Sequence, residues 1–327
     1  MSDAAEFSLI EQHFSGWPPA LQDTRLGVGD DAAIVAVPSG YEMAVTTDSL
    51  HSGIHFPEDV AAFDLGWKAL AVNLSDLAAM GAQPRWFTAA VSLPQADADC
   101  MGEFAAGMQA LALEQGVQLI GGDTCCGPKS ATVTAMGLLP AGSGMRRSGA
   151  RVGDLVAVTG TLGDAALGLE LWIDESSPEH TRNAMAVDAL FTRLNQPSPR
   201  CAAGMALRDL ASAAIDLSDG IAADIGHIAR ASGVGAQIRT ADLPSSDAFL
   251  RLAPAARRAR LQACGGDDYE LCVCLAPADL EEARSRLDRL ALDLQVVGSI
   301  VPNPGVRVLD LAGNPLSFEK AGYQHFS

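Results

Sequence analysis

The sequence predicts a layered α/β protein with two domains, and three observations support this. Apolar runs of strand length alternate with stretches of helix length along most of the chain. The 327 residues are enough for two domains and a large core, and 48% apolar with 19% charged residues is a globular composition. A Gly-rich, basic segment with few apolar residues, 140–154, interrupts the alternation and predicts the domain boundary.

The first predicted domain, residues 1–145, contains a series of strands with helices between them. Helix-like stretches lie chiefly at 61–80 and 98–115, and the apolar stripe of the first favours core packing over a cofactor site. The predicted strands are the apolar runs at 32–37, 43–46, 87–93, 117–122 and 131–139.

The second predicted domain, residues 146–327, repeats the alternation. A polar stretch near 174–181 favours a surface loop. Helices are predicted at 164–173, 182–194 and 199–211. Strands are predicted in LVAVTG, AAIDLSDG, AQIRT, ELCVCL, LQVVGSI and VRVLDL.

Composition narrows the possible partners and the compartment. With 22 basic and 40 acidic residues the formal charge is −18, and such a surface repels nucleic acid and anionic membranes. The acidic N-terminus lacks a signal peptide's basic region, and no apolar run has membrane-spanning length. Seven cysteines without a C-x-x-C suggest neither a disulfide framework nor a zinc site. We expect a reduced, cytoplasmic protein that binds neither nucleic acid nor membrane.

Aspartates recur beside Gly, Ser or Thr, nearly always where an apolar run ends. One such Asp is usually a turn former or a helix cap. Several gathered in one crevice would raise each other's pKa unless cations compensate, and Mg²⁺ with phosphate is the common solution. Both interpretations stay open from the residues alone. The aspartates are Asp30, Asp31, Asp48, Asp76, Asp123, Asp216, Asp219, Asp267 and Asp268.

Few cationic side chains are available to neutralise a bound phosphate. The only lysines are Lys68, Lys129 and Lys320, so metal would carry much of this charge, with Arg146 and Arg147 as candidate helpers. His51 and His55 have helical spacing, but the Gly and Pro around them favour a loop. A polar loop histidine and a phosphate contact both stay open for His55.

Motifs along nearly the whole chain resemble the thiamine-monophosphate kinase family. They include GVGDDAAI, TTDSLHSGIHF, KALAVNLSDLAAMGA, LIGGDT, RSGARVGD, VTGTLGDAALGL, GGDDYEL and the closing GYQHF. The resemblance implies ATP-dependent phosphorylation of thiamine monophosphate to thiamine diphosphate. It also implies the fold of the aminoimidazole ribonucleotide synthetase and selenophosphate synthetase superfamily, in which the N-terminal α/β domain pairs across a homodimer and the C-terminal α/β domain closes the active site.

The resemblance also implies roles for individual residues. Mg²⁺ ligands, several ions per site, would be Asp31, Thr46, Thr47, Asp48, Asp76, Asp123, Asp216 and Asp219, with Asp30 as an additional candidate. ATP contacts would be Gly122, Asp123, Arg147 and Ser218. Substrate contacts would be His55, Asp267 and Tyr323. The family commonly has Glu at position 267, so this acceptor is one methylene shorter here. No dedicated catalytic base is expected, because the acceptor phosphate is already anionic.

Two alternatives are disfavoured by what this chain lacks. Selenophosphate synthetases carry a reactive Cys or selenocysteine and a Lys near the N-terminus, whereas the first such residues here are Cys100 and Lys68. Nucleotide-binding hydrogenase-maturation relatives carry a C-terminal Cys tail, and this chain ends in GYQHFS.

Overall fold

The computed structural model describes residues 12–95, 97–174, 176–318 and 322. The chain divides into two units. Unit 1 comprises Met1–Leu77 and Ala82–Gly142, and unit 2 comprises Ala78–Gly81 and Ser143–Ser327. Tyr323 lies outside the described residues.

Unit 1 is built on a four-stranded sheet with strand order β3-β6-β4-β5. β4 and β5 are parallel, and the other neighbours are antiparallel. A short antiparallel pair, β1 and β2, precedes this sheet. The strands of unit 1 are β1 (Thr24–Leu26), β2 (Ile34–Val35), β3 (Tyr41–His51), β4 (Gln83–Leu93), β5 (Gln118–Cys126) and β6 (Ser130–Pro140).

Two long helices, α1 (Ala62–Ala79) and α2 (Ala98–Gln115), cross at a pair of glycines. A Cβ on Gly66 would lie 1.9 Å from the carbonyl oxygen of Phe104, and one on Gly107 would lie 1.9 Å from that of Phe63. The absence of side chains therefore sets how closely these helices approach. Buried apolar residues recur at helical spacing on one face of α2. Residues 68–75 of α1 are all buried, so this helix is enclosed by the core on every side.

Unit 2 is built on a seven-stranded sheet with strand order β13-β12-β9-β11-β7-β10-β8. β12 and β9 are parallel, and the other neighbours are antiparallel. Every residue of β10 is buried, which accounts for its unbroken apolar run. The strands are β7 (Leu155–Thr159), β8 (Ala211–Asp216), β9 (Gly235–Arg239), β10 (Leu271–Leu275), β11 (Leu294–Val301), β12 (Gly305–Leu309) and β13 (Pro315–Leu316).

The helices of unit 2 lie between these strands in the chain. Ile221, Ile225 and Ile228 of one of them are buried in the core beside the sheet, a spacing that puts all three on one helix face. The helices are α3 (Asp164–Ile173), α4 (Glu179–Arg182), α5 (Ala184–Asn195), α6 (Cys201–Leu207), α7 (Ile221–Ser232), α8 (Asp247–Leu252), α9 (Ala255–Cys264) and α10 (Leu280–Asp288).

The strand lengths differ from the sequence prediction in ways that bear on the site. β3 does not stop near Thr46, because every residue from Tyr41 to His51 pairs with β6. β5 likewise continues past Asp123 to Cys126, and the predicted strand at 32–37 is reduced to β2. The polar stretch predicted as a loop, 174–181, contains all but the last residue of α4. Long-range pairing thus keeps polar residues in strands that apolar patterning would have ended.

Candidate functional site

On the helix-covered face of the unit 1 sheet, β3 and α1 bring predicted metal ligands together. The Thr46 hydroxyl donates a hydrogen bond of 2.5 Å to Oδ2 of Asp76, which lies thirty residues further along the chain. Asp48 is two residues beyond Thr46 in the same strand, so alternation puts it on the same face. A hydroxyl and two carboxylates, all hard oxygen donors, therefore share this face.

The opposite face of the sheet carries the other predicted ligands of these strands. The Thr47 hydroxyl donates to the carbonyl oxygen of Val133 and accepts from Thr134, both at 3.1 Å. Asp123 pairs with Ala90, which in turn pairs with Thr132 of β6. Asp48 pairs with the next residue of β6, Val133, and neighbouring residues of a strand point to opposite faces. The backbone therefore places Thr47 and Asp123 away from the group formed by Thr46, Asp48 and Asp76.

Gly122 lies where the neighbouring strand comes very close. A Cβ at this position would lie 2.1 Å from the carbonyl oxygen of Ala89. This contact explains why glycine precedes Asp123, because any side chain would force the parallel strands apart.

The loops of unit 1 hold the remaining predicted residues. Asp30 and Asp31 lie exposed between β1 and β2, where the Asp31 backbone N–H donates to Oδ1 of Asp30 at 2.8 Å. In the loop after β3, Nδ1 of His55 accepts the backbone N–H of His51 at 3.0 Å. Because Nδ1 is an acceptor, a neutral His55 carries its proton on Nε2.

Lys129 anchors this loop, a role that the sequence did not reveal. Its ammonium donates to the carbonyl oxygen of Glu58 at 3.4 Å and lies 5.7 Å from the centre of the Phe56 ring. Its own carbonyl accepts the N–H of Ser52 at 3.1 Å. Lys129 thus joins the start of β6 to both ends of the loop that carries His55.

In unit 2, three carboxylates gather around the turn from β8 to α7. β8 ends at Asp216, and the turn carries Ser218 and Asp219. Asp224, in the first turn of α7, is buried and accepts the backbone N–H groups of Asp219 and Gly220, each at 3.1 Å. Burial, together with the charges of Asp219 and Asp216, raises the pKa of Asp224 to about 8.

Asp224 is a functional candidate that the sequence prediction missed. The sequence signal for it was an Asp in the first turn of α7, the helix that follows the predicted ligands Asp216 and Asp219. A carboxylate there stabilises the free N–H groups of a helix start, so the pattern resembled ordinary capping.

The two other described candidates of unit 2 are Asp267 and Arg147. The backbone N–H of Asp267 donates to the carbonyl oxygen of Ser218 at 2.8 Å, so the predicted substrate and nucleotide segments touch directly. The exposed Arg147 lies near α7, where its charge adds to burial in lowering the pKa of His227.

The donors fit Mg²⁺, although they do not form a closed cage. Within the described ranges, no three His, Cys, Asp or Glu side chains are arranged to hold a metal ion. Mg²⁺ does not need such a cage, because it keeps several waters and is usually bound through one or two carboxylates and substrate phosphates. Burial, and after it the charges of Asp219 and Asp216, raise the pKa of Asp224, and a divalent cation would stabilise these carboxylates in their charged form. No helix in the described part of the chain is long and apolar enough to span a bilayer.

Two family models match the chain. The AIR synthase related protein N-terminal domain matches residues 29–139, and the AIR synthase related protein C-terminal domain matches residues 151–310. The curated thiamine-monophosphate kinase of Salmonella typhimurium is 41% identical over 329 residues, which cover 98% of each chain.

Solved structures show the same similarity. The thiamine-monophosphate kinase of Stenotrophomonas maltophilia superposes with a TM-score of 0.85 at 44% identity, covering 90% of this chain and 93% of that one. A structure described as AaThiL complexed with AMPPCP and TMP superposes with a TM-score of 0.76 at 28% identity, covering 98% and 96%.

Proposed function

The chain belongs to the thiamine-monophosphate kinase family, and we propose that it transfers the γ-phosphoryl group of ATP to thiamine monophosphate, giving thiamine diphosphate. The observation that carries this proposal is the end-to-end match to a curated kinase. The complex of AaThiL with AMPPCP and TMP supports the two substrates, because AMPPCP is an ATP analogue.

We propose that Mg²⁺ is held in unit 1 by Thr46, Asp48 and Asp76 and in unit 2 by Asp216 and Asp219. The shared sheet face supports the first group, and the electrostatics around Asp224 support the second. When bound, Mg²⁺ supplies charge neutralisation for the phosphates. Asp31, Thr47 and Asp123 remain proposed ligands as well. Thr47 and Asp123 would bind ions on the other face of the sheet, and Asp31 would bind an ion from the loop between β1 and β2.

The chain's own residues would bind and orient the two substrates. We assign Gly122, Asp123, Arg147 and Ser218 to ATP, and His55, Asp267 and Tyr323 to thiamine monophosphate. With its Nδ1 occupied by the N–H of His51, His55 can donate from Nε2 to a phosphate oxygen. Asp267 offers a carboxylate to the cationic thiazolium or to the pyrimidine amine.

Transfer would be direct and in line, without a general base or a phospho-enzyme. The attacking phosphate oxygen of thiamine monophosphate is ionised at neutral pH, so alignment and charge neutralisation supply the catalysis. We also propose a cytoplasmic homodimer. Exposed apolar residues on the sheet face that carries Thr47, with Met43 42% and Val45 57% exposed, support pairing there.

The test is an assay of the purified chain with ATP, Mg²⁺ and thiamine monophosphate, separating products by chromatography. We expect stoichiometric thiamine diphosphate and ADP, loss of the reaction in EDTA, and no comparable turnover with other phosphorylated acceptors or selenide. ATP consumption without thiamine diphosphate would overturn the proposal. Sedimentation showing only monomer at micromolar concentration would overturn the homodimer alone.

A further inference from the structure

The turn Gly266–Glu270, here called the Asp267 turn, has an unusual backbone. Asp267 has a φ of 67° and Tyr269 a φ of 49°, both in the left-handed region. Asp tolerates this conformation, because its short side chain can bond locally, but a bulky aromatic residue rarely adopts it. Such a conformation persists only where surrounding contacts hold it in place.

Backbone hydrogen bonds hold the turn from one side. The N–H of Asp267 donates to the carbonyl oxygen of Ser218, and the N–H of Tyr269 donates to that of Leu217, both at 2.8 Å. In return the N–H of Leu217 donates to the carbonyl oxygen of Glu270 at 2.9 Å. These bonds fix the Asp267 turn to the segment 216–218, so the two cannot shift independently of each other.

Buried acidic side chains hold the turn from the other side. Asp268 accepts the backbone N–H of Gly163, with both oxygens within 3.0 Å. Glu270 accepts from Arg200 at 2.6 and 2.5 Å and from Arg193 at 2.9 Å. Gly160 lets this carboxylate fit, because a Cβ there would lie 2.2 Å from Oε1 of Glu270.

The two left-handed residues bring the Tyr269 hydroxyl back to Asp267. The hydroxyl donates to Oδ1 of Asp267 at 3.2 Å, while the ring is anchored with only 8% of the residue exposed. An Asp side chain has two rotatable bonds, and a hydrogen bond to its carboxylate restricts them. A buried phenol is a suitable group to restrict the Asp267 carboxylate.

We propose that Tyr269 is a positioning residue that orients the Asp267 carboxylate toward the aromatic cation of the acceptor. This inference rests on the proposed function, since it concerns the same substrate. The strained backbone is retained because it places donor and acceptor two residues apart on the same side of the turn. Tyr269 would favour a cationic acceptor ring without touching ATP.

The test is Tyr269→Phe, which keeps the ring and removes the hydroxyl. We expect the KM for thiamine monophosphate to rise about 3- to 10-fold, the range for losing one hydrogen bond. We expect kcat and the KM for ATP to stay within about twofold, a separation that a general structural defect would not produce. Tyr41→Phe removes a hydroxyl from a residue that is 45% exposed on β3 and serves as the matched control.

A double-mutant cycle shows whether the hydroxyl acts through Asp267. In an Asp267→Ala background, Tyr269→Phe should produce no further change in the KM for thiamine monophosphate. An unchanged KM in the single variant, equal rises for both substrates, or additive effects in the cycle would overturn the positioning role. These outcomes leave the proposed function standing. A wild-type chain that forms no thiamine diphosphate would overturn the proposed function and this role together.

Discussion

The buried Glu270 carboxylate offers a sharp test of what stabilises unit 2. It is fully buried and receives hydrogen bonds from Arg193, Arg200 and the Thr159 hydroxyl, the last at 2.7 Å. Burial works to raise its pKa, but the hydrogen bond and charge of Arg200, then Arg193 and Thr159, outweigh it and lower the pKa. Glu270→Gln keeps the shape and leaves two guanidinium groups facing an amide.

Removing one partner of a buried ion pair costs about 3–5 kcal/mol, because the remaining charge stays desolvated. For a unit of this size that corresponds to a fall in Tm of roughly 6–20 °C. Thermal and urea unfolding followed by circular dichroism would measure it. The control is Glu281→Gln, whose exposed partner Arg284 lies 3.3 Å away and whose loss should cost less than about 1 kcal/mol.

The pH dependence provides a second measure of the same variant. A carboxyl with a lowered folded-state pKa stabilises the protein above its unfolded pKa, near 4.5, and this contribution is lost as the pH falls. Glu270→Gln should therefore lose most stability at neutral pH and approach the wild type in acid. A variant within about 1 kcal/mol of wild type at pH 7 would refute the reasoning.

Three further predictions follow from other contacts. In EDTA the raised pKa of Asp224, about 8, should make unfolding free energy fall as pH rises from about 4 to 8, and Asp224→Asn should flatten that slope in urea titrations. Thr46→Val removes the hydrogen bond to Asp76 and should raise the half-saturating Mg²⁺ concentration about 10-fold, whereas an unchanged Mg²⁺ titration would contradict the role. Lys129→Met removes the cation beside Phe56 and should raise the KM for thiamine monophosphate about 2- to 5-fold in steady-state kinetics; an equal rise for ATP would argue against it.

Much of the fold could be predicted because helical periodicity is local. α2 and α3 begin and end where the sequence predicts, and α1 differs by one residue at each end. Strand ends were harder, because β3 and β5 continue only through pairing with distant strands. A threonine in a paired strand and a threonine in a turn look alike in sequence, and only the partner strand distinguishes them.

The sequence predicts candidate site residues, but it does not predict which of them lie close together. Asp76 is a candidate ligand on the basis of its motif, yet its contact with Thr46 depends on how α1 packs on the sheet. Asp123 lies on the sheet face opposite Asp48 because of how β4 pairs with β5 and β6, and no local sequence pattern encodes that register. The anchoring role of Lys129 was missed for the same reason, since its partners come from an earlier loop, in which Glu58 lies 71 residues before it.

Two buried carboxylates of unit 2 show where a cation is needed from outside the chain. The pKa of Glu270 is lowered, because Arg200 and Arg193 bring compensating charge into the core. The pKa of Asp224 is raised, because burial is reinforced by the like charges of Asp219 and Asp216. The chain thus supplies cations to the Glu270 carboxylate and none to the Asp224 carboxylate among the causes of its shifted pKa. A divalent cation would relieve the repulsion around Asp224, whereas the Glu270 carboxylate is already compensated by two guanidinium groups. This contrast supports the turn from β8 to α7, and not the Glu270 carboxylate, as the proposed Mg²⁺ site of unit 2.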